Sequence, residues 1–130
     1  MTHANLVFVD TVLWSAFFLK PASPEKRSVD VLLDEDRVVL TVPILAEVLR
    51  GFRRTEEADW VASRMRLAHY FEPAWDDWRD AATLGRELAS KKQDIPLTDL
   101  VIATLAPRLK AFVYSTDLYF DSIPDLKRFP

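Results

Sequence analysis

Asp10, Glu47, Asp99 and Asp117 are the residues of this 130-residue chain whose positions suit chemistry. Asp10 ends the apolar run Leu6-Val7-Phe8-Val9, and Asp117 follows a second such run in Tyr114-Ser115-Thr116-Asp117. Asp99 and Glu47 stand near the starts of two apolar-periodic segments. Each has an ordinary structural role open to it. Asp10 and Asp117 suit helix N-caps, Asp99 suits a helix dipole, and Glu47 can pair with Arg50 for about 0.2–0.5 kcal/mol. Four carboxylates gathered at one edge of a sheet would instead repel one another, and a divalent cation removes that penalty. The chain has no cysteine and only His3 and His69 as imidazoles. Hard oxygen donors of this kind point to Mg²⁺ or Mn²⁺ rather than zinc.

The elements that must position these acids follow from periodicity. Residues 6–9, 38–42 and 111–115 read as short buried strands, and residues 125–129 as a last one. Helices are expected over residues 11–19, from Ser23-Pro24 to 34, from Pro43 to 52, over 75–92 and over 98–106, the last stopped by Pro107. Thr55 is expected to cap a further helix carrying Trp60, Met65 and Leu67. Strands separated by helices imply a largely parallel sheet of four to five strands covered on both faces, with sites beyond the carboxyl ends of the strands. At about 100° per residue, Glu47 falls at the rim of the arc formed by Ile44, Leu45, Val48, Leu49 and Phe52. Arg50 and Arg54 fall on the same flank, where they can meet an RNA phosphate or form a solvated helix face.

Four fragments carry a resemblance to a known family: Val7-Phe8-Val9-Asp10-Thr11, Pro43-Ile44-Leu45-Ala46-Glu47-Val48, Ile95-Pro96-Leu97-Thr98-Asp99-Leu100-Val101-Ile102-Ala103 and Ser115-Thr116-Asp117. In order and spacing they resemble the PIN-domain motifs of VapC-type toxins, and the likeness covers essentially the whole chain as one domain, residues 1–130. The resemblance implies an α/β PIN-like fold and a metal-dependent endoribonuclease neutralised by a cognate antitoxin. It implies Asp10, Glu47, Asp99 and Asp117 as catalytic acids, with Asp10, Asp99 and Asp117 on Mg²⁺ or Mn²⁺, and Thr11 and Ser115 as supporting hydroxyls. Many relatives carry a further acid two residues after the Asp117 position. Here that residue is Tyr119, which puts a second metal in question, with Asp121 and Asp94 as weak substitutes.

Two alternatives stand beside this. One is a PIN fold that binds RNA or protein without cutting. The other is a haloacid-dehalogenase-type phosphatase with Asp10 as nucleophile, disfavoured because Val12 stands where a second aspartate is usual. The net charge of −3 is low for a nucleic-acid binder, but a carboxylate site itself lowers it. No apolar run approaches the roughly 20 residues of a membrane span, and residues 1–5 carry no secretory pattern, so a cytoplasmic location is expected. Trp60, Trp75 and Trp78 fit helix faces and are expected in the core. In the first helix Val12, Leu13, Trp14, Ala16, Phe17, Phe18 and Leu19 are apolar on every side. Either the helix is sandwiched, or Trp14 and Phe18 form an exposed patch for an antitoxin or a second copy in a homodimer.

Overall fold

Short runs of β-branched and aromatic residues build the sheet. In the computed structural model, which describes residues 5–130, these runs are β1 (Val7–Val9), β2 (Val38–Leu40) and β4 (Phe112–Tyr114). A two-residue strand β3 (His69–Tyr70) joins them, and the order β3-β2-β1-β4 is parallel throughout. Val7 lies opposite both Val38 and Phe112, which centres β1 in the sheet. Its three residues are fully buried, as a strand covered on both faces must be.

The covering layers are α1 (Thr11–Leu19), α2 (Pro24–Asp34), α3 (Val42–Arg50), α4 (Thr55–Met65), α5 (Trp75–Ser90) and α6 (Leu97–Arg108), followed by a short 3-10 helix, Leu118–Ser122. Ser23 caps α2 by accepting the Lys26 N–H at 3.1 Å, with Pro24 at the first helical position. Helix α6 is apolar nearly all round because it is buried on most sides, and it packs on α5. Gly85 makes that packing close: a Cβ there would stand 2.8 Å from Leu100 Cδ1.

Several expectations need correction. Residues 125–129 form one parallel bridge, Val113 with Arg128, rather than a strand. Asp125, at φ 63°, turns the chain just before it, which leaves too little extended backbone for more. Strand β3 has no sequence signal, because both its residues are exposed and show no alternation; the open edge of β2 recruits it. Arg54, not Thr55, holds the N-cap position of α4. Helix α6 runs one residue past Pro107, whose missing N–H does not prevent Leu109 N–H bonding the Leu105 carbonyl at 3.0 Å. Trp60, Trp75 and Trp78 are exposed rather than core, and His3 lies outside the described residues.

The largest correction concerns α1. Trp14 has no exposed surface, since α1 packs on both α2 and α3, while Phe18 is half-buried beside Phe52 and Trp60. Trp14 is therefore core and not a free patch. Trp14→Ala is expected to cost about 3–5 kcal/mol, read as a large drop in melting temperature. A drop of a degree or less would return Trp14 to the surface.

The chain leaves β1 towards β2 and β3, then returns through α6 to β4 on the opposite side of β1. The strand order thus reverses between β1 and β4, and a crevice opens at such a point beyond the carboxyl ends of the strands.

Candidate active site

Asp10 follows β1 directly and caps α1. Its Oδ1 accepts the Leu13 N–H at 3.0 Å, and its Oδ2 accepts the Ser115 hydroxyl from the turn after β4. The Asp10 N–H in turn donates to the Tyr114 carbonyl at 3.1 Å, which ties the two strand ends together. Asp10 is 1% exposed. Burial raises its pKa despite the Ser115 and Leu13 hydrogen bonds that oppose the shift, and the nearby Asp117 charge adds to the rise.

Glu47 reaches the same crevice from α3, where it is half-buried. It accepts hydroxyl hydrogen bonds from Thr98 at the start of α6 and from Thr11 at the start of α1, the latter at 3.3 Å. Three helices therefore meet at one carboxylate. Asp99, in the first turn of α6, accepts the Tyr119 hydroxyl. That hydroxyl is also 3.2 Å from Asp117 Oδ2, so Tyr119 spans two acids. Burial and both carboxylates push the Tyr119 phenol up, which keeps it protonated and donating. Asp117 is fixed through its backbone, its N–H donating to Ser115 Oγ at 3.0 Å.

The electrostatics make these acids one unit. The Asp99 pKa is raised to about 6, first by burial and then by the charges of Asp10, Asp117 and Glu47, against the opposing Tyr119 hydrogen bond. The donor set is entirely hard oxygen and suits Mg²⁺ or Mn²⁺. Among the described residues no three acids converge as they stand into an ion-holding group. Hydroxyls of Thr11 and Thr98 bond Glu47, that of Ser115 bonds Asp10 and that of Tyr119 bonds Asp99. Burial raises the Asp99 pKa most, and the charges of Asp10, Asp117 and Glu47 add a repulsion that a divalent cation relieves, so the residues fit such an ion.

The two arginines expected on one flank are separated. Helix α3 ends at Arg50, which is exposed one turn beyond Glu47, whereas Arg54 begins α4 with its Nε 3.7 Å from Glu57. The sequence reading assigns Thr98 no role at the site, although its place between Leu97 and Asp99 in a helix-starting motif is a usable signal. Tyr119 stood out only as the lack of an acid. Nothing local pointed to its bridging role.

Comparison with known proteins decides the family, because residues 7–126 match the PIN domain. The chain belongs to the PIN domain family. None of the curated proteins matches it. The PIN domain described here is similar in fold to VapBC2 from Rickettsia felis bound to a promoter DNA fragment, with 18% identity over 95% of this chain and 97% of that chain and a TM-score of 0.80. It is similar also to DNA-bound VapBC from Salmonella typhimurium, at 18% identity over 97% and 98% with a TM-score of 0.76. VapC20 of Mycobacterium tuberculosis, a sarcin-ricin loop cleaving toxin, matches over 92% of this chain and 98% of that chain at 14% identity and a TM-score of 0.65. All four strands of this PIN domain are parallel, where the sequence reading expects a largely parallel sheet of four to five strands.

Proposed function

We propose that this PIN domain is a metal-dependent endoribonuclease of the VapC toxin type, acting in the cytoplasm and held inactive by a cognate antitoxin. The observation that carries the reading is the gathering of Asp10, Asp99 and Asp117 at the β1/β4 crevice, linked through Ser115 and Tyr119, with Glu47 held by Thr11 and Thr98. Asp10, Asp99 and Asp117 would hold the cation, with Glu47 beside them. A bound Mg²⁺ or Mn²⁺ supplies Lewis acidity towards the phosphodiester and lowers the pKa of water.

The chain's own residues do the rest. Thr11 and Thr98 fix Glu47, and Ser115 fixes Asp10 against Asp117. A carboxylate oxygen of Asp99 or Asp117 that the cation leaves free would accept the proton of an attacking water. Tyr119 keeps its proton and donates it to Asp99, with Asp117 Oδ2 at 3.2 Å, where relatives add an acid, which favours a single cation. Arg50, exposed at the end of α3, is positioned to meet an RNA phosphate.

For the partner, the aromatic patch is now Phe18 without Trp14. Phe18, Leu19, Phe52 and Trp60 line a groove of about 260 Å³ rimmed by Glu56 and Glu57. An antitoxin segment docking there, or a second copy of the chain in a homodimer, would cover it. No helix among the described residues is long and apolar enough to cross a membrane.

The test is cleavage of a structured RNA by purified protein. Cleavage is expected with millimolar Mg²⁺ or Mn²⁺, none with EDTA, and none by Glu47→Gln at an unchanged melting temperature. Cation-independent cleavage, or full activity of Glu47→Gln, would overturn the assignment. Binding of RNA without cleavage under every cation condition would favour the non-catalytic reading.

A further inference from the structure

The C-terminal segment contributes a residue that sequence motifs do not touch. Arg128 Nη2 donates to the Ser115 carbonyl at 2.5 Å, and Nη1 donates to Asp121 Oδ1 at 2.7 Å. The guanidinium also lies over the buried ring of Phe120, 5.6 Å from its centroid. The backbone on either side is fastened to β4, with Val113 N–H donating to the Lys127 carbonyl and Phe129 N–H to the Val113 carbonyl, each at 2.9 Å. One side chain thus braces three points of the turn that carries Ser115, Asp117 and Tyr119.

We infer that Arg128 is a positioning residue for the acid cluster and acts through Ser115. Ser115 donates its hydroxyl to Asp10 and accepts the Asp117 N–H on the same oxygen. Its carbonyl is gripped by Arg128. Rotation of that residue would break the link to Asp10 and the link to Asp117 together. A planar guanidinium with several donors in a fixed fork is suited to prevent this, because it holds the carbonyl and Asp121 at once. Groups that orient metal ligands from behind typically change metal affinity or activity by about 10–100-fold when removed.

The sign of the effect separates this role from simple charge. Arg128 is a cation near a site proposed for a cation. Were its charge the main influence, its removal would strengthen divalent binding. Acting as a strut, its removal must weaken that binding.

The inference rests on the proposed metal centre, and the experiment distinguishes the failure of each. Mn²⁺ binding is measured by calorimetry on the full chain, with Asp10→Asn as baseline and melting temperatures taken in EDTA. Arg128→Met keeps an apolar stem over Phe120 and is expected to bind Mn²⁺ about tenfold more weakly or worse. Asp121→Asn removes the charge but keeps an oxygen that accepts from Arg128 Nη1, so the fork and the Ser115 contact stay and Mn²⁺ should bind as in the native chain. In a Ser115→Ala background, Arg128→Met should change nothing further, since both act along one path. Should Arg128→Met not fold, Arg128→Lys carries the same test, with weaker Mn²⁺ binding at an unchanged cation-free melting temperature supporting the strut. Native or tighter Mn²⁺ binding in the Arg128 variants overturns the inference, as does an equal loss in Asp121→Asn. A native chain that binds no Mn²⁺ above the Asp10→Asn baseline overturns the metal centre itself.

Discussion

Asp10→Asn is expected to lose RNA cleavage by more than about a hundredfold, the scale of removing one preorganised electrostatic contact, yet to melt no lower than the native chain in EDTA. The two halves of this result have separate causes. Asparagine caps helices about as well as aspartate, so the hydrogen bond from Leu13 N–H survives. The Ser115 hydroxyl can rotate to accept from the new amide. The charge that is removed was not stabilising the cation-free fold, because the net direction of the Asp10 shift is upward and burial is its largest cause. What disappears is the anion needed to hold a divalent cation. The thermal gain on adding Mn²⁺, which any ligand of the native state confers, should therefore vanish in the variant. Scanning calorimetry in EDTA and in Mn²⁺, beside a cleavage assay, reads all three quantities. Near-native cleavage would remove Asp10 from the reaction. A loss of many degrees in EDTA would make it a structural cap instead.

The second large effect is a pH dependence that reverses when cation is added. Asp99 has a folded-state pKa of about 6 against an ordinary value of 3.8. A group whose pKa is raised in the fold holds its proton more tightly there than in the unfolded chain. Its contribution to stability is therefore complete below pH 3.8 and is lost as the pH rises through about 6. At about 1.4 kcal/mol per unit, ionised Asp99 destabilises the cation-free fold by about 2–3 kcal/mol at neutral pH. Comparison with Asp99→Asn isolates this group from every other titration. Without cation, the native chain should melt progressively lower than Asp99→Asn between pH 4 and 7, by several degrees at the upper end. With Mn²⁺ at a hundredfold excess over its dissociation constant, the native chain regains about 2.7 kcal/mol and the order at pH 7 closes or inverts. A difference that does not change with pH would mean that Asp99 is not buried among like charges.

The sequence alone determined the class of the fold and singled out the acids proposed for the site. Strands such as Val7–Val9 are apolar without alternation because they are covered on both faces, and that is visible one residue at a time. The places of Asp10 and Asp117 follow from the strands they end, and the helix starts before Glu47 and Asp99 follow from proline and from apolar periodicity. Tertiary structure decided what periodicity leaves open. A helix apolar on every side, such as α1, is compatible with burial or with an exposed patch, and only its packing on α2 and α3 buried Trp14. Two exposed residues cannot announce a strand, so β3 exists only because the edge of β2 is there to pair with it. The supports of the site were equally hidden. Thr98 meets Glu47 across 51 positions and Ser115 meets Asp10 across 105, and the hold of Arg128 on Ser115 depends on a tail fastened to β4 through Val113. Such contacts join residues that share no local pattern. They arise where a parallel sheet reverses its strand order and brings distant chain segments to one crevice.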